Sequence, residues 1–117
     1  MPGGILGTFH KNLSQERWNS LDIIHQILNI SSELNRARNR LPERFSDKQL
    51  SLERALELID FSIEDRSKWN KGRLRELLRF RDLVAENYVL KKSSEDELKI
   101  LLKVFLRMHG RTASVEL

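Results

Sequence analysis

Apolar residues recur at helical spacing in four stretches of the chain, and no alternating run reads as a strand. In the first stretch Ile23, Ile27, Ile30, Leu34, Ala37 and Leu41 stand four, three, four, three and four residues apart, which is a heptad seam. Asn12 or Ser14 can cap the start of this helix, Asn12 as a capping box with Gln15. Pro42 disfavours helical geometry at the residue before it, so the helix is predicted to run to about Leu41. Some 28 residues at about 1.5 Å each make it ~42 Å long, the longest element, with part of it overhanging the monomer. Trp18, Leu21, Ile24 and Leu28 form a second patch on another side of its first half, which predicts more than one neighbour there.

Pro42 to Asp47 reads as a turn, with Ser46 and Gln49 as a second capping box. Leu52, Ala55, Leu56, Ile59 and Ile63 then line one side of a second helix, while Leu58 and Phe61 lie outside the stripe. The periodicity breaks over Asp65 to Lys71, where Trp69 is expected to pin the loop and Asn70 to cap the next helix. In that third helix, from Gly72 to about Val89, Leu74, Leu77, Leu78, Val84, Ala85 and Tyr88 share a face, and Arg81 falls in the middle of it. Ser94 with Glu97 is a capping box for the fourth helix, whose Leu98, Leu101, Leu102, Val104, Phe105, Leu106 and Met108 cover an arc of about 200°. Gly110 is a natural C-cap.

These elements predict an all-α fold: a four-helix, up-and-down type bundle with a long first helix. It occupies residues 12–110 as one domain, between a flexible arm at 1–11 and a frayed tail at 111–117. The 117 residues suffice for one core and not for two. No run approaches the apolar length of a membrane span, and the opening MPGGILGTFHK lacks the charged and apolar regions of a secretion signal. Zero cysteines exclude disulfides and thiolate chemistry and are compatible with the cytoplasm. The net charge of +4 comes from 21 bases interleaved with 17 acids, so it points only faintly to an anionic partner.

Chemistry is therefore sought residue by residue. An arginine on an apolar arc needs an anion, because a buried unpaired guanidinium is too costly. Arg81 either pairs with Asp60, Glu57 or Glu64 on the preceding helix, or faces a cleft and binds phosphate or carboxylate through its planar fork. Arg36, Arg38, Arg40 and Arg44 gather at the end of the first helix, where cations complement the dipole but four exceed what it requires. Arg73, Arg75 and Arg79 could track a nucleic-acid backbone, yet Glu76, Asp82 and Glu86 beside them predict a salt-bridged, solvated face. Lys99, Lys103 and Arg107 form the wet side of the fourth helix. His10, His25 and His109 are too dispersed for a metal, and His25 and His109 read as packed or capping residues. The carboxylate row Glu53, Glu57, Asp60 and Glu64 lacks the Glu-x-x-His that a di-iron bundle needs. No phosphate loop and no serine or cysteine nucleophile motif occurs, so no cofactor and no catalytic residue is assigned.

Asn29-Ile-Ser-Ser-Glu33, Asn35-Arg-Ala-Arg38, Glu53-Arg-Ala-Leu-Glu-Leu-Ile-Asp60 and Arg73-Leu-Arg-Glu-Leu-Leu-Arg-Phe-Arg-Asp82 with Tyr88 resemble a group of small uncharacterised prokaryotic helical proteins, over roughly residues 17–90. That resemblance implies a helical bundle and no activity. Arg81-Asp-Leu-Val-Ala-Glu-Asn-Tyr88 is also similar to the motif of the HEPN superfamily of helical ribonucleases and antitoxin-linked proteins: an arginine, a polar residue, a short spacer, a histidine and often a tyrosine two further on. Arg81 and Tyr88 fit, but Glu86 stands where the histidine that moves the proton should be. The resemblance implies the helical fold, a dimer and RNA contact through Arg81, and not cleavage. The expected function is a non-enzymatic interaction or scaffold protein acting as a homodimer, since the first-helix seam and the wide fourth arc offer more apolar surface than one monomer covers. The alternative is a HEPN-like RNA-binding or ribonuclease-like protein, with Arg81, Tyr88, Arg36, Arg38, Arg40 and Arg44 as its anion-binding residues.

Overall fold

The structure is a computed structural model that describes residues 13–39, 45–90 and 95–115. The arm at 1–11, Asn12, Arg40, Leu41, Arg44 and Ser94 lie outside the described residues, and with them the Asn12 and Ser94 caps. Five helices and no strand occur among the described residues: α1 Gln15–Asn19, α2 Ile23–Arg38, α3 Phe45–Ile63, α4 Lys71–Leu90 and α5 Glu95–Leu106. The radius of gyration, 13.5 Å, is that of a compact domain of this length, about 13 Å.

The long first helix is corrected. Ser14 Oγ accepts from the Arg17 amide and opens α1, which stops at Asn19; Asp22 then caps α2 by accepting from the His25 amide at 2.8 Å. The break has a physical cause. On one straight helix the Trp18 patch would point away from the seam, whereas the Ser20–Asp22 corner turns the Trp18 indole inward, where it is fully buried. Its N–H donates to Ser62 Oγ at 3.0 Å and its ring leans on Phe61, while Gln15 donates to the Phe61 carbonyl and holds α1 on the end of α3. The seam of α2 is consumed inside the molecule: Ile27, Ile30, Leu34 and Ala37 are buried. At 16 residues α2 is shorter than α3 and α4, so no overhang arises from it.

Helix α2 packs against α3 and α5, α3 takes α4 on another side, and α4 touches α5. The core runs through Leu52, Ile59, Leu77, Phe80, Val84, Leu98 and Leu102, with Phe105 stacked between Trp69 and Phe80 at ring separations of 6.3 and 4.6 Å. Trp69 pins its loop as expected. Leu58 is buried and Phe61 meets Trp18, so both outliers of the second stripe find their second contact.

Three caps differ from expectation. Ser46 lies inside α3, and Gln49 reaches across to donate to the Tyr88 carbonyl at 2.9 Å. The Asn70 side chain turns back to the Arg66 carbonyl, and α4 begins on Lys71 at φ 51°, in the left-handed region. At the end of α5 the closing residue is not Gly110 but Thr112, whose buried hydroxyl donates to the Leu106 and His109 carbonyls. Val115 also packs on the core, so the described part of the expected tail is folded back.

Candidate functional site

Among the described residues, two sets of polar side chains are bonded between elements in sequence-distant pairs. The first lies between α3 and α4. Arg81 Nε donates to Asp60 Oδ1 at 2.6 Å and Nη2 to Asp60 Oδ2 at 3.3 Å, a forked pair on half-buried side chains with 32% and 34% exposure. Two turns along, Tyr88 Oη donates to Glu53 Oε1 at 2.6 Å. Asp60 and Glu53 are seven residues apart on α3, as Arg81 and Tyr88 are on α4, so the two bonds fix one register between antiparallel helices. The bond to Asp60 raises the Arg81 guanidinium above its ordinary pKa against the opposing effect of burial. The Tyr88 phenol is raised by its bond to Glu53, and burial acts in the same direction.

Arg81 thus has its anion inside the chain, the pairing with Asp60 that the sequence offered as one of two readings. Of the other expected anion-binding residues, Tyr88 shares the Arg81 face of α4, while Arg36 and Arg38, on α2, are not brought to it. Arg36 is exposed and pairs with Glu33, one turn away on α2, at 3.1 Å. Arg38 donates to Asn39, and Arg40 and Arg44 lie outside the described residues. Arg73 donates to the Lys68 carbonyl. Arg75, Arg79, Asp82 and Glu86 are exposed, and none of the ion pairs found among the described residues joins them, so the face is solvated without the expected salt bridges.

Sequence reasoning missed the second group. Gln26 is fully buried at the start of α2; its Nε2 donates to the Trp18 carbonyl and to Asp65 Oδ2, and its Oε1 accepts from the Trp69 indole at 2.7 Å. Asp65, also buried, accepts in addition from Ser67 Oγ and from Lys68 Nζ, which donates on to the Asn19 carbonyl. Burial pushes the Asp65 carboxyl up, but the bonds from Gln26, Lys68 and Ser67 prevail and hold it below the usual carboxylate range. The cluster ties α1, α2 and the α3–α4 loop together. A signal was present: on the α2 wheel Gln26 stands only about 20° beyond Ala37 at the edge of the seam, the same kind of anomaly as Arg81.

The two described histidines sit at helix ends, His25 against the Asp22 cap of α2 and His109 after α5. His25 Nδ1 lies 2.8 Å from Asp22 Oδ1, and His109 Nδ1 accepts from the Arg111 amide. Among the described residues no group of three or more histidines and carboxylates could hold a metal ion, and no helix is long and apolar enough to cross a membrane. Comparison with protein-family models, with curated proteins and with solved structures gives no match for this chain.

Proposed function

We propose that the chain is a non-enzymatic interaction or scaffold protein that works as a homodimer in the cytoplasm, built on an up-and-down bundle of α2, α3, α4 and α5. The packing of α2 on α3, α3 on α4, and α5 on both α4 and α2 supports that bundle. One observation carries the functional reading. Arg81, Tyr88 and Asp65 are bonded to partners within the chain, while Leu78, Leu83, Val89, Ile100 and Val104 are exposed on α4 and α5. Inward chemistry and outward apolar side chains describe a protein that offers a surface rather than a reaction centre. Measuring the solution mass by light scattering over a concentration series tests this: the reading expects twice the 13.8 kDa chain mass, and a monomer at every concentration contradicts it.

The alternative is a HEPN-like RNA-binding or ribonuclease-like protein. It is favoured by the placement of Arg81 and Tyr88 on one face of α4, and it requires both to leave their α3 carboxylates for phosphate. Filter binding to mixed RNA across a salt series separates the two: binding that survives about 0.2 M salt supports the RNA reading, and its absence supports the scaffold.

A further inference from the structure

Helix α4 carries its charges in an order that its own stability does not explain. It opens with Lys71, Arg73 and Arg75, has no acid in its first turn and no base in its last, and bears Asp82 and Glu86 in its second half. The helix dipole favours the reverse, with acids early and bases late. Along the outer stripe Arg75 and Arg79 are one turn apart, as are Asp82 and Glu86, like-charge spacings that work against an isolated helix. Glu76 lies off the stripe, Arg81 turns to Asp60, and Arg79 with Asp82 is the one opposite-charge neighbour within the stripe. By contrast α5 follows the dipole, with Glu95, Asp96 and Glu97 in its first turn and Lys103 in its last.

The four side chains share one side. At about 100° per residue Arg75, Arg79, Asp82 and Glu86 fall within roughly 60° of one another, opposite the buried Leu77, Phe80 and Val84. Leu78 and Leu83, each 44% exposed, flank this charged stripe, one on either edge.

We infer that this face of α4 is the contact between two copies of the chain, with the two α4 helices antiparallel across a two-fold axis level with Phe80 and Arg81. The inference rests on the homodimer proposed above and names its surface. In that register Arg75 of one copy stands opposite Glu86 of the other and Arg79 opposite Asp82, each pairing occurring twice. The stripe from Arg75 to Glu86 is about 16 Å long. Leu78 lies near Leu78 of the second copy on one edge of the contact, and Leu83 near its own counterpart on the other, keeping water from the ion pairs. A parallel arrangement would set base against base and acid against acid, so the charge order selects the antiparallel one. Helix α4 remains anchored to its own core through Phe80, Val84 and the Arg81 and Tyr88 bonds, so the contact requires no rearrangement.

Charge reversal in two matched sets tests this. Arg75→Glu with Arg79→Glu makes the stripe acidic throughout, and Asp82→Arg with Glu86→Arg makes it basic throughout. Each variant, checked for helical content and cooperative melting, is expected to dimerise about 100-fold more weakly than wild type, and an equimolar mixture of the two to recover a dimer. Wild type alone provides a second measurement should a variant fail to fold: its dimer is expected to loosen between low salt and about 0.5 M salt. A wild-type dimer that both sets leave intact, or that added salt does not weaken, overturns this surface while leaving the homodimer standing. Two folded, monomeric variants that stay monomeric when mixed overturn the ion-paired contact. A monomeric wild type removes the homodimer itself.

Discussion

Arg81 and Gln26 are polar residues on apolar helix faces, and the molecule treats them differently. Arg81 lies at the edge between α3 and α4, a third exposed, and one carboxylate satisfies it. Gln26 lies at the centre of the join between α1, α2 and the α3–α4 loop, fully buried, with both ends of its amide bonded. The residue with the greater charge does the lesser structural work. Water already stabilises much of the Arg81–Asp60 pair, so the bond adds little. Around Gln26 no water competes, and each bond replaces one that the buried group would otherwise lack.

Removing Gln26 is therefore expected to have the largest effect. Gln26→Leu leaves the Trp69 indole N–H without its partner and takes one donor each from Asp65 and from the Trp18 carbonyl, which keeps the Leu21 amide, for an expected loss of about 3 kcal/mol in chemical denaturation. A loss below 1 kcal/mol would erase the contrast between the two regions. Next comes acid. The Asp65 carboxyl is held below its ordinary value in the folded chain, so its contribution is complete above the unfolded carboxylate range, near pH 4, and is lost as pH falls through the lower folded value. Wild type should lose stability on acidification through that window, and Asp65→Asn should flatten the dependence while lowering stability at neutral pH; a parallel acid profile in the variant would assign the loss to other carboxylates.

On the exposed side the expected changes are smaller. Tyr88→Phe removes the bond to Glu53 and should cost about 0.5–1 kcal/mol, with the melting transition remaining cooperative. The smallest change, and the one of opposite sign, is at the start of α4. Lys71→Gly relieves a left-handed residue at φ 51° but adds flexibility to the unfolded chain, so a gain of no more than about 0.5–1 kcal/mol is expected in thermal melts. A clear loss would show that the Lys71 side chain contributes more than its backbone strain costs.

The helix content of this chain was legible because apolar spacing of three and four recurs wherever a helix buries one side, and α3, α4 and α5 follow that spacing closely. The first helix was misread for the same reason: Ile23 to Ala37 continue one seam, and nothing in the spacing reports that Trp18 must turn the other way to reach Ser62. Asp22 was the available sign, an N-cap residue inside what looked like a continuous helix. At Arg81 the wheel gave the anomaly and Asp60 among its three possible partners. It could not give Gln26, Asp65 and Trp69 as one cluster, because they lie 39 and 43 residues apart along the chain and meet only through the fold. Thr112 was invisible for a related reason, since a threonine after a helix looks like tail until its hydroxyl finds the Leu106 carbonyl.

Arg81 is held for Asp60, which supports the proposal that the chain acts through its surface. The most direct test compares the thermal stability of Arg81→Met with wild type, each with and without added RNA. The account predicts a loss of only about 1 kcal/mol in the variant, as befits a pair one-third exposed, and no change in either protein on adding RNA. Stabilisation of wild type by RNA that Arg81→Met abolishes would contradict it and place the guanidinium on a phosphate.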